Sequence, residues 1–431
     1  MINTEIPLDQ ILNSVSETHN FPNPDVIFLN TSDVLDGKIL HSEYSPVKGL
    51  KGQAKKTIEN GDILFSEIRP KNRRFAFVNV PNPEDYVVST KLMVLRNKKP
   101  ESVYTDYIYY FLTYEGTLNY LQMRAENRIG SFPQITFDVL KPIKIRIPPL
   151  GEQTRIATLL SALDAKIALN QRINAELEAL AQRLYQYWFV QFDFPYDFER
   201  GQPDPQGRPY KSSGGEMVWR EGLKRAVPKG WGVKKLGEVL KTSLGGTPST
   251  KDREYWRGDI PWLSSGEISN FPVIESEAKI TDRAIDNSAT KLLPAGTVAI
   301  SITRYIRPTI LAIDACANQS VVGILESESF RSSFIYPYLK TQVPRFMSMR
   351  TGANQPHINK ETVDESSFIV PPLEILEGYY ELAGGIYQKI INGAFQSHHL
   401  SSLRDWLLPM LMNGQVEVGA VFSPPTGDTS L

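Results

Sequence analysis

The sequence predicts an α+β protein: two pseudo-repeated mixed α/β domains separated by two long antiparallel coiled-coil helices. Three observations predict it. The chain matches itself at a fixed offset, and a long stretch free of proline and glycine carries apolar residues in alternating steps of three and four. Upstream of the helical stretches stand β-branched runs bounded by turn formers.

The repeat is explicit at PQITFDVLKPIKIRIPPL (133–150), which aligns without a gap on PHINKETVDESSFIVPPL (356–373). Pro133, Ile135, Pro148, Pro149 and Leu150 recur 223 positions later as Pro356, Ile358, Pro371, Pro372 and Leu373. The register continues through Lys166, Ile167, Leu177, Leu180 and Leu184, which meet Lys389, Ile390, Leu400, Leu403 and Leu407. Upstream, GDILFSEIR (61–69) falls on GTVAISITR (296–304), sharing Gly61/Gly296, Ser66/Ser301 and Arg69/Arg304, and VIFLNTSDV (26–34) parallels IPWLSSGEI (260–268).

The elements follow in order. Residues 1–147 form the first mixed domain, with a strand at VVSTKLMVLR (87–96) and a helix at YTDYIYYFLTYEGTLNYLQ (104–122). The first long helix occupies 148–192, after a Pro-Pro pair that disfavours helix before it. Its seam is Ile156, Leu160, Leu163, Ile167, Asn170, Asn174, Leu177, Ala181, Leu184 and Trp188. At 1.5 Å per residue the proline- and glycine-free stretch would run about 58 Å. Asn170 and Asn174 interrupt the seam, as register-fixing polar residues do. Residues 193–228, rich in Pro, Gly and Ser, read as an extended linker. The second mixed domain spans 229–370, with a strand at GTVAISIT (296–303), and the distal helix spans 371–415, its seam including Ile386, Ile390, Leu400 and Leu407. Gly393 and Arg404 on that seam and Pro409 near its end predict a less regular helix, and 416–431 a mobile tail. Two helices related by a repeat bury their stripes against each other; a two-fold arrangement makes them antiparallel, with the mixed domains at opposite ends.

The formal net charge is −1 in 431 residues, so contact with a polyanion must come from local patches. No apolar stretch approaches the roughly 20 residues of a membrane span. MINTEIPLDQ lacks a secretory pattern, and the single cysteine, Cys316, excludes internal disulfides and reads as a core residue, which together suit the cytoplasm. No phosphate-binding loop, metal-spaced histidines or nucleophilic triad is present. Asp259 with Glu277 and Lys279 imitates the acid and E-x-K spacing of Mg-dependent nucleases, which keeps a single-chain nuclease as an alternative; a coiled-coil protein-interaction scaffold is another.

The segments PPLGEQTRIATLLSALDAKIALNQRINAELEALAQRLYQYWFVQFDFP (148–195), GRPYKSSGGEMVW (207–219), GWGVKKLGEVLKTSLGGTPST (230–250), YWRGDIPWLSSGEI (255–268) and WLLPMLMNGQVEV (406–418) resemble the specificity subunit of type I restriction-modification enzymes. In the second copy PPLEILEGYYELAGG (371–385) replaces the usual PPLxEQ opening. The resemblance implies two target-recognition domains, each reading half of a split asymmetric site in double-stranded DNA, with the helices setting the spacer. It implies no catalysis and no cofactor in this chain: two methyltransferase (modification) subunits use S-adenosylmethionine, and restriction (motor and endonuclease) subunits use ATP and Mg.

Arginine suits guanine, and Asn or Gln suits adenine, through paired hydrogen bonds. The candidate DNA-binding residues are therefore Arg69, Lys71, Arg73 and Arg74, joined by Arg124, Arg128, Ser131 and Gln134, in the first copy. In the second they are Thr250, Lys251, Arg304, Arg307, Arg350, Asn354, Gln355 and His357.

Overall fold

The structure, a computed structural model, describes residues 4–50, 52–127, 134–352 and 356–419. The chain divides into two compact units, one built from residues up to Ile167 together with those from His399 onward, the other from Ala168–His398. Among the described residues no helix is long and apolar enough to cross a membrane.

In the first unit Leu12–Val15, Leu92–Asn97, Ile63–Ser66 and Phe75–Phe77 form an antiparallel sheet in that order. Its central strands are continuous apolar runs because both faces are covered. Ile63, Phe65, Met93 and Leu95 pack with the helical residues Tyr107, Ile108 and Leu121. The alternate residues Leu64, Leu92 and Val94 face Ile27, Leu29 and Val88 of a second sheet, as the two-residue period of a strand requires. In that second sheet Asp25–Leu29 runs parallel to Tyr86–Ser89. The expected strand at 87–96 is thus two strands in different sheets, divided at Thr90 and Lys91.

The second unit repeats the plan. Thr242–Leu244, Val321–Ile324, Val298–Ser301 and Pro308–Ile310 stand in the same sheet order, and Ile260–Leu263 pairs parallel with Cys316–Ala317. Cys316 is buried. Gly61 (φ 92°) and Gly296 (φ 90°) turn the chain into the equivalent central strands at a backbone angle that other residues adopt only under strain.

Four further sequence expectations need correction. The helix expected over 104–122 is two helices, Thr105–Thr113 and Glu115–Glu126, because Tyr114 takes an extended conformation between them. The segment 193–228 is folded: Pro195–Asp197 pairs with Gln202–Pro203 and Arg208–Pro209, and Met217–Arg220 pairs with Arg225–Pro228. Phe192, Phe194 and Tyr210, together with Trp231 beyond it, bury their rings in the second unit's core; their apolar area outweighs the flexibility that the Pro and Gly content suggested. The distal helix, expected to be irregular, runs without a break over Leu373–Met412. Pro409 sits in its last turn, where only a final few hydrogen bonds are at stake. Of the expected mobile tail, Val416 and Val418 pack against the first unit's core, and Arg155 Nε donates to the Val418 carbonyl at 3.1 Å; the residues from 420 onward lie outside the described part.

The first long helix, Leu150–Tyr185, closes with a π turn at Gln186–Val190. Within each unit its residues run antiparallel to those of the distal helix. In the first unit Ile156 and Leu160 share a core with Leu408 and Leu411, and Asp164 pairs with Arg404 at 2.6 Å. In the second, Asn170 Nδ2 donates to Gln396 Oε1 (2.8 Å) and Asn174 Nδ2 to the Ile390 carbonyl (3.0 Å). A Cβ at Gly393 would stand 2.5 Å from Asn174 Oδ1, so the irregular seam residue is what admits the asparagine. Of the sequence-read seam, Ile156, Leu160, Ile167, Asn170 and Ile390 are buried, while Leu163, Asn174, Leu177, Leu184, Ile386, Leu400 and Leu407 are half-buried.

The missing PPLxEQ opening of the second copy has a structural replacement. Buried Gln153 accepts from the backbone N–H of Tyr104, the residue before the helix Thr105–Thr113, and donates to the carbonyls of Ser102 and Pro148. The corresponding residue by offset is Leu376, an apolar core residue. One turn later Tyr380 takes over: its hydroxyl accepts from the N–H of Arg331, the residue before the helix Ser332–Ser348, at 3.1 Å and donates to the Ser329 carbonyl at 2.9 Å. Burial pushes the Tyr380 hydroxyl up to about 12, so it carries its donating proton at neutral pH.

Gln153→Ala and Tyr380→Phe should each destabilise the fold by about 1–3 kcal/mol, the cost of leaving buried backbone groups unpaired, read as a lower denaturant midpoint at unchanged slope. A phenol whose folded pKa is raised stabilises fully below its ordinary value of 10.0 and loses that contribution as pH climbs to about 12. Tyr380→Phe should therefore weaken the dependence of the midpoint on pH across that interval.

Candidate nucleic-acid interface

Both arginine clusters lie at the tips of matching β-hairpins. Ile63–Ser66 and Phe75–Phe77 flank one, and Val298–Ser301 and Pro308–Ile310 flank the other. The two frames share the bonds at their base, although the first tip is two residues longer and carries a short helical turn at Pro70–Asn72. Ser66 N–H donates to the Arg74 carbonyl (2.8 Å) and Ser301 N–H to the Arg307 carbonyl (3.1 Å). The Ser66 and Ser301 hydroxyls each donate two residues ahead, to the carbonyls of Ile68 and Thr303. Ile68 bridges Gln134 and Thr303 bridges His357, while Ile135 N–H meets the Glu67 carbonyl as Ile358 N–H meets that of Ile302. Arg69 (φ 45°) and Arg304 (φ 58°), the repeated arginines, both adopt the left-handed conformation. For a side chain of this size that conformation is strained, and such strain persists where surrounding bonds impose it.

The outward side chains differ. In the first tip Arg69 and Lys71 are exposed around buried Pro70, and the Lys71 N–H donates to Gln122 Oε1 at 3.3 Å. Gln122 belongs to the helix Glu115–Glu126, whose last turn presents Arg124 to solvent. Gln134 Nε2 donates to Glu67 Oε2 at 2.7 Å. Arg69, Lys71, Arg124 and Gln134 are thereby gathered about one tip. Arg73 and Arg74, read from the sequence as binding residues, are engaged within the unit. Arg73 pairs with Asp36 at 2.6 Å and approaches Glu115 at 3.8 Å, and Arg74 Nη1 donates to the Ser32 and Val34 carbonyls. Arg128 and Ser131 lie outside the described residues.

In the second tip Arg304, Tyr305 and Arg307 are exposed, and Ile306 is buried beneath them. Arg350 supports the tip, its Nη1 donating to the Arg304 carbonyl at 2.7 Å and its Nε to the Met347 carbonyl at 3.0 Å. His357 bridges Thr303 and Thr351. Among the described residues neither Arg304 nor Arg307 pairs with a carboxylate. Thr250 and Lys251 are exposed on the separate loop before Arg253–Trp256. Asn354 and Gln355 lie outside the described residues. Sequence reading passed over Tyr305 and the supports Glu67 and Gln122; the recurrence of Gly61, Ser66 and Arg69 marked the frame but not what braces it. Of the nuclease-like set, Lys279 is paired opposite Pro261, and the Glu277 N–H donates to Glu267 Oε1 at 2.9 Å. Among the described residues no three His, Cys, Asp or Glu side chains gather as a metal site.

Comparison with known proteins returns one family. Residues 16–179 and 228–398 each match the Type I restriction modification DNA specificity domain. The chain is 30% identical over 456 aligned positions to the HindI type I restriction enzyme specificity subunit of Haemophilus influenzae, covering 96% of this chain and 99% of that one. It is 26% identical to the MjaIX specificity subunit of Methanocaldococcus jannaschii, over 74% of this chain and 70% of that one. The solved S subunit of a type I restriction-modification system from M. genitalium shares its fold with a TM-score of 0.51 at 14% identity, over 95% of this chain and 96% of that one.

The hairpin frame makes two stability predictions. Ile306→Ala should cost about 2–5 kcal/mol, since it empties a core position under the tip. Arg304→Gly should instead leave stability unchanged or raise it by about 1 kcal/mol, because glycine adopts the left-handed angle without strain. Denaturant midpoints of the two variants check both.

Proposed function

The chain belongs to the type I restriction-modification DNA specificity family, and we propose that it is a DNA-recognition subunit reading a bipartite, asymmetric target in double-stranded DNA, one half-site per repeated domain. The observation that carries this reading is the pair of hairpin tips with one backbone frame and two sets of outward side chains: Arg69 and Lys71 in one, Arg304, Tyr305 and Arg307 in the other. A shared frame presents side chains to the duplex in the same way, and different side chains then read different base pairs. Unequal tips therefore read an asymmetric site.

The proposed division of labour leaves catalysis to partners. Two modification subunits would methylate with S-adenosylmethionine, and restriction subunits would use ATP and Mg, while this chain contributes recognition and no cofactor of its own, acting in the cytoplasm. A formal net charge of −1 suits a subunit that shares phosphate neutralisation with such partners. Arg69, Lys71, Arg124 and Gln134 on one side, and Arg304, Arg307, Arg350, Thr250, Lys251 and His357 on the other, are the proposed contacts. Arg73 and Arg74 act within the tip as supports.

Methylome sequencing of the source genome with and without the gene tests the function: a split, asymmetric methylated motif that disappears with the gene is expected. In the assembled complex, Arg69→Ala with Lys71→Ala should reduce the slope of log affinity against log salt by about one unit for each phosphate these side chains neutralise. An unchanged slope would remove that tip from the interface. Inserting equal helical segments into both long helices should change the unread spacer and preserve the two half-site sequences; altered half-sites would refute the helices' role.

A further inference from the structure

We propose that Tyr305 is a specificity-determining residue of the second repeat: its ring enters the major groove on the hairpin tip and packs against the methyl group of a thymine. The proposal rests on the reading of this chain as a DNA-recognition subunit.

Tyr305 is 63% exposed, an aromatic ring that the fold leaves in water. Its neighbours are fixed. Ile302 and Ile306 on either side are buried in the unit's core, and the Arg304 N–H is bonded to the Pro356 carbonyl at 2.8 Å. The Arg304 carbonyl in turn accepts from Arg350 at 2.7 Å. The tip is thus a braced turn, and its ring is presented at little cost in chain entropy. The Arg307 guanidinium lies 5.5 Å from the ring centroid, and Arg304 adjoins it on the other side. Two cations without carboxylate partners among the described residues would draw this tip toward phosphate, carrying the ring with them.

The shape fits the groove. Only the turn that joins Val298–Ser301 to Pro308–Ile310, two strands of a four-stranded sheet, needs to enter, and the major groove, about 12 Å wide, is broad enough for a two-stranded turn. An exposed apolar face at the tip of such a turn has one apolar counterpart among base edges there, the thymine methyl. The first repeat lacks the feature: Pro70, at the corresponding position, is buried. The interaction therefore belongs to one half-site alone.

The test uses the full chain assembled with its cognate modification subunits and duplexes carrying each single base-pair change in both half-sites. Tyr305→Ala should lower specific affinity by about 5- to 100-fold, the size of one mismatched base pair, with an unchanged salt slope, because a ring packed on a methyl group releases no counterions. Discrimination should disappear at one T·A pair of one half-site, and thymine-to-uracil replacement there should weaken the wild-type complex but not the variant. Tyr305→Phe should behave as wild type. Discrimination abolished at a G·C pair, or retained at every position, would overturn the proposal, with Arg304→Ala serving as the control that reports tip engagement. Failure of the wild-type complex to bind any sequence specifically would instead defeat the reading on which the proposal rests.

Discussion

The rest of the structure depends on how the two long helices bury their stripes. Neither helix could remain single in water with Ile156, Leu160, Tyr379 and Ile390 on its surface, and each unit uses turns of both to complete a core. The apolar residues supply affinity without choosing a register. The polar ones choose it. Asn170 with Gln396, Asn174 with the Ile390 carbonyl, and Asp164 with Arg404 are each satisfied only at the observed alignment. A slip by one turn would part every pair and set Asn174 against a side chain where Gly393 now leaves room; each stranded polar group would cost about 1–3 kcal/mol.

Above that scaffold the two repeats separate what must be constant from what must vary. Sheet order, the parallel strand pair, the serine hydroxyl bonds and the left-handed arginine recur, and all of them act through backbone geometry. The outward residues of the tips act only through what they touch, and there the repeats diverge. The helix openings show the same freedom in the interior: Gln153 and Tyr380 secure equivalent helix starts from positions one turn apart, because the requirement is a donor and an acceptor at one place rather than a particular residue.

Charge is distributed by the same logic. Of the four basic residues in the opening cluster, Arg73 and Arg74 are held by Asp36 and by backbone carbonyls, which stiffens the tip and leaves Arg69 and Lys71 outward. A sequence count of positive charge therefore overstates what one tip offers a polyanion.

Two kinds of information were legible before folding. The duplication, the two helices with their polar interruptions and the placement of both arginine clusters were written in residue spacing, since periodicity and offset survive as pattern along the chain. Side-chain partnership was not. That Arg73 is paired, that Tyr380 stands in for Gln153, that residues 193–228 bury aromatic rings, and that Tyr305 rather than Ile306 faces outward depend on proximity between residues tens of positions apart. The sequence by itself determined which segments repeat and where positive charge gathers. Only the tertiary structure decided which of those charges are consumed internally and which are presented, because an ion pair or a buried face exists only once distant strands and helices are brought within a few ångströms.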